Sequence, residues 1–586
     1  MNSRNQILDL FKGIAIVAII LYHAGLFTFG YLGVEIFLVV GGYLITKSIM
    51  RTYEKGRFSY WNYLCKRLVR LWPLALLITI VSLAIGYFFM LPDAYKNTCQ
   101  TAVGTSLFAN NFVQYITSGN YWDTANEYKP LMHTWYLGVM FQFYVIYPLI
   151  FMLCHRFAKN LVSASRGVLW IVFGLSLLLY LLPGIGNAVN FYLLPSRLFE
   201  FAAGGLLALY GAGQQKLKNN QALFVLLFLA FALLFLNTEY NMAKVRLILT
   251  VLLTLLVILY AEHQLADEEN DKWYQKLIAI IAPLGVASYS LYLWHQVVFA
   301  FYRNIINDEL SVGAYLLVIA ISLVLGYLSY LLIEKSITAF TKSSTSHVYI
   351  VLASCVVLTC VIGVFSFKFL KTQGVVRDIP ELDVYANMPN SWAPQEYNAR
   401  LTSLYEKPFP ASNGKKNVLV VGDSYARDWI NVLLESKIKN VNIVYSKDIA
   451  SDLRQKISQA DIIFVANNAP INPYIDYLPA MLEKKFYRVG HKKFGRGISW
   501  LYNRARMTGD YTYSIPPIHD VINVDEREEF KGKYINMMDS LQDKDGKINV
   551  FTPDKKLISH DGIHLTKAGA QHFAKLLKLN ELINFN

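Results

Sequence analysis

Runs of roughly twenty apolar residues recur near 8–25, 30–50, 71–91, 132–154, 167–185, 194–211, 221–237, 244–261, 281–303, 312–333 and 348–369. Each is long enough to cross about 30 Å of hydrocarbon as a helix. About eleven such runs dictate a multi-span α-helical membrane domain. The composition agrees: 54% of the 586 residues are hydrophobic and only 16% charged, too apolar for an ordinary soluble enzyme of this length. The formal charge of +14 does not argue for nucleic acid, because Lys and Arg sit largely in short loops between the apolar runs. Five scattered cysteines, none beyond residue 360 and none in a CxxC pair, give neither a disulfide framework nor a metal motif.

Loop charge sets an orientation. With the N-terminus in the cytoplasm, the 47–70 loop with Lys47, Arg51, Lys55, Arg57, Lys66, Arg67 and Arg70 falls inside, and the charge-poor 92–131 loop falls outside. The first run has no clear cleavage site and reads as a retained span. An odd number of spans then places everything after about 370 on the far side. That remainder changes character. A linker, "DIPELDVYANMPNSWAPQ", leads into short β-rich runs ("NVLVVG", "NVNIVYS", "DIIFVAN", "KINVFTP") alternating with helical ones. Such alternation predicts a small α/β domain on a mostly parallel sheet. The expected division is 1–340 membrane domain, 341–410 extra span and linker, and 411–586 α/β domain.

The first run, "LDLFKGIAIVAIILYHAG", keeps Lys12 and His23 in a segment bound for hydrocarbon. Eleven positions at 100° each return to nearly the same helix face, about 16 Å apart along the axis. The next run, "GVEIFLVVGGYLIT", puts Glu35 at similar depth to His23, where a carboxylate would orient an imidazole. Intramembrane ionisable groups are costly and usually functional. His133, Arg197, Glu200 and His295 form a second tier. Arg197 and Glu200, three apart on one face, suit a structural ion pair, and His133 and His295 lie beside Trp135 and Trp294 near expected interfaces.

These motifs, with "YLCKRLVRLWPL", "HTWYLGVMFQFYVIYPL", "FYLLPSRLFEFAAGGLLAL", "ASYSLYLWHQVVF" and "SYLLIEKSI" in order over about residues 5–340, resemble the acyltransferase family 3 membrane proteins. Two departures stand out. The family commonly has Asp at the Glu35 position, and often a Val-Glu-Glu-Gln run where this chain has Val139, Met140, Phe141 and Gln142. The resemblance implies transfer of an acyl group from a cytoplasmic thioester, acetyl-CoA by default, to an extracytoplasmic acceptor. Lys12, Arg67 and Arg70 would hold CoA phosphates, and His23 would act as general base or as transient acyl acceptor.

In the α/β part, "VLVVGDSYARDW" places Ser424 at a strand-to-helix turn, and "HDGIHLTKAGAQHFAKLL" places Asp561 and His564 three apart before a closing helix. The two blocks resemble the SGNH hydrolase/acyltransferase group. By that resemblance Ser424 is nucleophile, His564 general base and Asp561 its orienting carboxylate. Asn467 or Asn468 would supply an oxyanion donor, although no glycine between 440 and 455 matches the group's second block. The combination resembles bacterial envelope glycan O-acetyltransferases, acting on peptidoglycan, lipopolysaccharide, capsule or exopolysaccharide from the cytoplasmic membrane. A membrane-anchored carbohydrate esterase and a glycan export protein without covalent chemistry stand as alternatives. No metal is expected, and the sequence sets no oligomeric state.

Overall fold

Eight of the eleven expected runs form helices long and apolar enough to cross a membrane: Gln6–His23, Gly30–Glu54, Tyr60–Phe89, Met132–Phe157, Leu161–Leu181, Ala243–Glu262, Val312–Ser343 and Thr345–Lys371. They belong to a computed structural model that describes residues 6–117, 124–211, 230, 243–264, 275–387, 394–411, 414–468, 470–495, 497–516 and 521–583. The 281–303 run is a bent pair, Ile278–Val286 and Ser288–Ile305 meeting at 76°, and counts as a ninth span only if the two helices cross as one. The 194–211 run is not a span. A 3-10 turn at Leu194–Ser196, with Pro195 in it, precedes a helix of only 13 residues, Leu198–Tyr210. Apart from Ala230, the 221–237 run lies outside the described residues. Eleven spans therefore become eight or nine among the described residues.

The chain divides into two units. One comprises Met1–Ile85, Thr98–Tyr302 and Glu309–Phe367; the other Gly86–Asn97, Arg303–Asp308 and Lys368–Asn586. Two short pieces from the first 340 residues thus belong to the C-terminal unit.

In the membrane unit, glycine sets how closely helices approach. A Cβ on Gly42 would lie 2.1 Å from the Phe201 carbonyl oxygen, and one on Gly204 2.1 Å from that of Val39. Helices in lipid associate by such close backbone packing, since apolar side chains gain nothing by leaving acyl chains for each other. This contact presses Leu198–Tyr210 against Gly33–Glu54 and brings their polar residues together.

Among the described residues the C-terminal unit carries seven strands: β1 Lys416–Gly422, β2 Val441–Lys447, β3 Ile462–Val465, β4 Lys485–Val489, β5 Ser514–Ile515, β6 Tyr534–Ile535 and β7 Ile548–Asn549. Five form a parallel sheet in the order β2-β1-β3-β4-β6, and β5 pairs antiparallel with β7. The strands read as continuous apolar runs because both faces are covered. Val418 and Val420 face one core with Trp429, Phe464 and Phe573; Leu419 and Val421 face another with Val444, Ile463 and Phe486. Each such side chain contributes about 1.5–3 kcal/mol on burial. The chain leaves β1 for β2 on one side and returns to β3 on the other. The crevice where the order reverses, at the carboxyl ends of the strands, is where open α/β sheets bind ligands.

Candidate functional site

Ser424 stands at that crevice because β1 ends on a glycine that nothing else replaces. Gly422 has φ +140°, and a Cβ there would lie 1.9 Å from the Ala466 carbonyl oxygen at the end of β3. Asp423 then caps the helix Ser424–Glu435: its Oδ1 accepts the Tyr425 N–H at 2.9 Å and its Oδ2 the Asn468 N–H at 2.9 Å. The nucleophile candidate is thereby fixed at a helix start, between two strand ends.

The expected partners meet it. Ser424 Oγ lies 2.7 Å from His564 Nε2, and His564 Nδ1 lies 2.6 Å from Asp561 Oδ2. Asp561 Oδ1 accepts the N–H groups of Ile563 at 2.9 Å and His564 at 2.7 Å, so the D-x-x-H turn closes on its own carboxylate. Burial pushes the Asp561 carboxyl up, but the neighbouring His560 charge and the His564 hydrogen bonds more than reverse this and hold it well below the ordinary carboxylate range. His560, Asp561 and His564 lie close enough together to share an ion. His560 Nδ1 contacts Asp93, and His564 lies between Asp561 and Ser424.

A buried network holds the two halves of this triad in register. Asp428, on the buried face of the Ser424 helix, accepts from Leu565 N at 3.1 Å and from Asn398 Nδ2 at 2.6 Å, and pairs with Lys492 Nζ at 2.7 Å. Lys492 also donates to the Ile563 carbonyl at 2.8 Å and lies 3.9 Å from the centre of the Tyr425 ring. Asn398 donates to the Ser424 carbonyl at 3.0 Å. An ion pair this deep is weak evidence for stability, but here each member also grips the 563–565 turn. Sequence reasoning missed Asn398, Asp428 and Lys492. A carboxylate in the apolar stripe of the Ser424 helix was the available signal.

The asparagines divide. Asn467 is buried and turns its amide to the Pro470 carbonyl at 3.5 Å. Asn468 is tied to Asp423 through its N–H and accepts from His491 Nε2 through Oδ1 at 2.5 Å. That leaves Asn468 Nδ2 as the amide donor on this side of Ser424 among the described residues. After β2, where no glycine matched, Asp448 takes φ +46° and donates its N–H to the Gly422 carbonyl at 3.3 Å.

In the membrane unit, Lys12, Arg67 and Arg70 line one cavity of about 170 Å³ together with Tyr136, Tyr144, Ser288, Tyr289 and Tyr292. Lys12 pairs with Asp9 at 2.6 Å and Arg70 with Glu334 at 3.4 Å. Arg67 rests against the Tyr63 and Tyr144 rings and has no carboxylate partner among the described residues. A π-helical turn, Tyr330–Glu334, presents the buried Glu334, which also accepts from Ser290 Oγ at 3.1 Å. Glu334 was missed, though it stood in the apolar "SYLLIEKSI" segment.

Glu35 does not orient His23. Its carboxylate lies 2.6 Å from Arg197 Nη1, which also holds Glu200 at 3.1 Å, all three within the packed helices. The reason is the Gly42/Gly204 contact, which brings Arg197 and Glu200 to the start of the Glu35 helix. His23 instead joins two of the second-tier residues. Its ring centre lies 5.0 Å from that of His295, and His295 lies 5.3 Å from His133. His295 Nδ1 donates to the Tyr292 carbonyl at 2.6 Å, and its buried Nε2 has no hydrogen-bond partner among the described residues. Tyr292 borders both this cluster and the cationic cavity, 5.4 Å from the His295 ring.

Known proteins place this unit. The family 3 acyltransferase domain model matches residues 5–331, more than half of the chain. The chain belongs to acyltransferase family 3. Its relatives include a Staphylococcus aureus (strain COL) protein named "Putative O-acetyltransferase", 28% identical over 356 residues that cover 57% of each chain. The peptidoglycan O-acetyltransferase OatA of Listeria monocytogenes is 25% identical over 355 residues, covering 56% of this chain and 55% of the relative. The chain thus spans little more than half the length of these relatives. No solved structure matches it.

Proposed function

We propose that this family 3 acyltransferase moves an acetyl group from cytoplasmic acetyl-CoA to hydroxyls of an extracytoplasmic envelope glycan, by way of an acyl-serine at Ser424. The observation that carries the reading is the Ser424–His564–Asp561 relay in a chain whose membrane unit belongs to an acyltransferase family. Ser424 Oγ attacks the acyl carbonyl carbon while His564 Nε2 takes the hydroxyl proton. The carrier leaves with that proton, and Asp561 stabilises the imidazolium that forms in between. A sugar hydroxyl then attacks the acyl-serine, giving its proton to His564, and the returning proton frees Ser424. Asn468 Nδ2 and the start of the Ser424 helix would stabilise the oxyanion.

The donor side rests on the membrane cavity. Its three cations suit a phosphate-bearing carrier, with Arg67 the least neutralised. His23, His133 and His295 offer imidazoles for base or carrier chemistry near Tyr292. The reading places the N-terminus in the cytoplasm and the C-terminal unit outside the cytoplasmic membrane. Peptidoglycan is the acceptor suggested by the Listeria relative's name.

The test is peptide mass spectrometry of membranes incubated with isotope-labelled acetyl-CoA. Label on Ser424 that disappears in His23→Ala supports the full relay, with Ser424→Ala as the blank. Label that persists without His23 removes that residue from the route. Absence of label in the wild type and in His564→Ala overturns the acyl-serine step and favours the esterase or export reading.

A further inference from the structure

His560 lies beside the triad without belonging to it. It is 3% exposed, its Nδ1 contacts the Asp93 carboxylate, and its ring stands 5.9 Å from the His564 ring at an interplanar angle of 20°. Its Nε2 has no hydrogen-bond partner among the described residues. Asp93 comes from Gly86–Asn97, far from the triad in sequence yet part of the same unit.

We propose that His560, held by Asp93, is a positioning residue for the triad: its ring, fixed beside Asp561 and His564, sets the charge next to them and so the pH range over which Ser424 reacts. The inference rests on the triad reading above. Four titratable groups act on His560: Asp93 at its Nδ1, the adjacent Asp561, the stacked His564, and Asp428, whose charge Lys492 offsets. The carboxylates favour the charged ring against its burial. A cation at this distance repels a second one on His564, and stabilises the anion of Asp561. Asp93 thus acts on Ser424 through two imidazoles that it does not both touch.

The sign follows from His564 having to be neutral to act as a base. Removing the His560 charge removes a repulsion on a second charged ring 5.9 Å away and moves the acid limb of Ser424 reactivity to higher pH. At about 6 Å the shift is roughly half a unit with water-like screening and about two units in a protein-like dielectric.

The experiment uses the full chain in detergent and a fluorophosphonate probe, which labels an activated serine whatever its natural acyl donor or acceptor. Labelling of Ser424 is followed by peptide mass spectrometry from pH 5 to 9. Asp93→Asn and His560→Gln are expected to move the acid midpoint up by about half a unit to two units. Asp93→Glu should restore the wild-type midpoint. Lower amplitude at an unchanged midpoint in Asp93→Asn, which keeps the side chain's size, overturns the proposal even if His560→Gln fails to fold. No labelling of wild-type Ser424 at any pH defeats the triad reading itself.

Discussion

Arg197 Nη1 lies 2.6 Å from Glu35 and 3.1 Å from Glu200, one buried cation serving two buried carboxylates. Arg197→Ala leaves the two buried acids side by side with no cation between them. The expected loss is about 3–5 kcal/mol of membrane-unit stability. Glu200→Gln, which keeps the pair with Glu35, should lose less. Thermal unfolding of the purified chain in detergent compares them, and an Arg197→Ala protein as stable as wild type would deny the trio a structural role.

Gly422 fixes where the nucleophile stands, with φ +140° and no room for a Cβ beside the Ala466 carbonyl. Gly422→Ala must push β1 and β3 apart, at a cost of several kcal/mol. Fluorophosphonate labelling of Ser424 should fall at least tenfold, and a crystal structure of the variant should show the 422–424 turn displaced.

Among the described residues, Arg67 is the cavity cation with no carboxylate beside it, so it has the most to offer a phosphate. Arg67→Ala should weaken CoA binding by about 10- to 100-fold, the worth of one hydrogen bond to a charged group. Arg67→Lys should recover part of that. Titration calorimetry with CoA reads both, and equal affinities for wild type and Arg67→Ala would move the donor elsewhere.

Protonation links the C-terminal unit to pH in two directions. His560 is raised to about 9 from an ordinary 6.5: burial pushes it down, but Asp93 and Asp561 prevail. Its contribution is therefore complete below about pH 6.5 and lost as pH rises through about 9. Asp561 is depressed, so its contribution holds above its ordinary 3.8 and fades as pH falls below it. Pulse proteolysis in urea should show the unit most resistant between these limits. Asp93→Asn should flatten the alkaline decline, by up to about 3 kcal/mol.

Ser424, Asp561 and His564 were singled out in the sequence by a resemblance, and the structure brings them together through local chemistry. A glycine-ended strand before a capped helix, and a carboxylate that folds back on its own turn, are short-range patterns. The parallel sheet was legible in the apolar strands for the same reason. What escaped depends on which elements become neighbours. Glu35 was expected beside His23 because helical depth was readable, but not that two glycines would bring Arg197 closer. His133 and His295 read as interface anchors until the 76° bend of the helix pair gathered them around Tyr292. The 194–211 run had enough apolar residues to count as a span, yet Pro195 and Arg197 delay its helix and shorten it.

The C-terminal unit draws on three separated pieces of chain, and this bears on how the protein is made. Asp93 leaves the ribosome 467 residues before His560. At roughly 5–20 residues per second that interval is on the order of half a minute or more. The Gly86–Asn97 piece meets Gln373, Val376 and Arg377 first, and the contact of Asp93 with His560 can form only at the end of that interval. The 560–564 segment therefore completes the arrangement, so translation that stops short of residue 560 leaves Ser424 and Asp93 in place without the histidines that meet them.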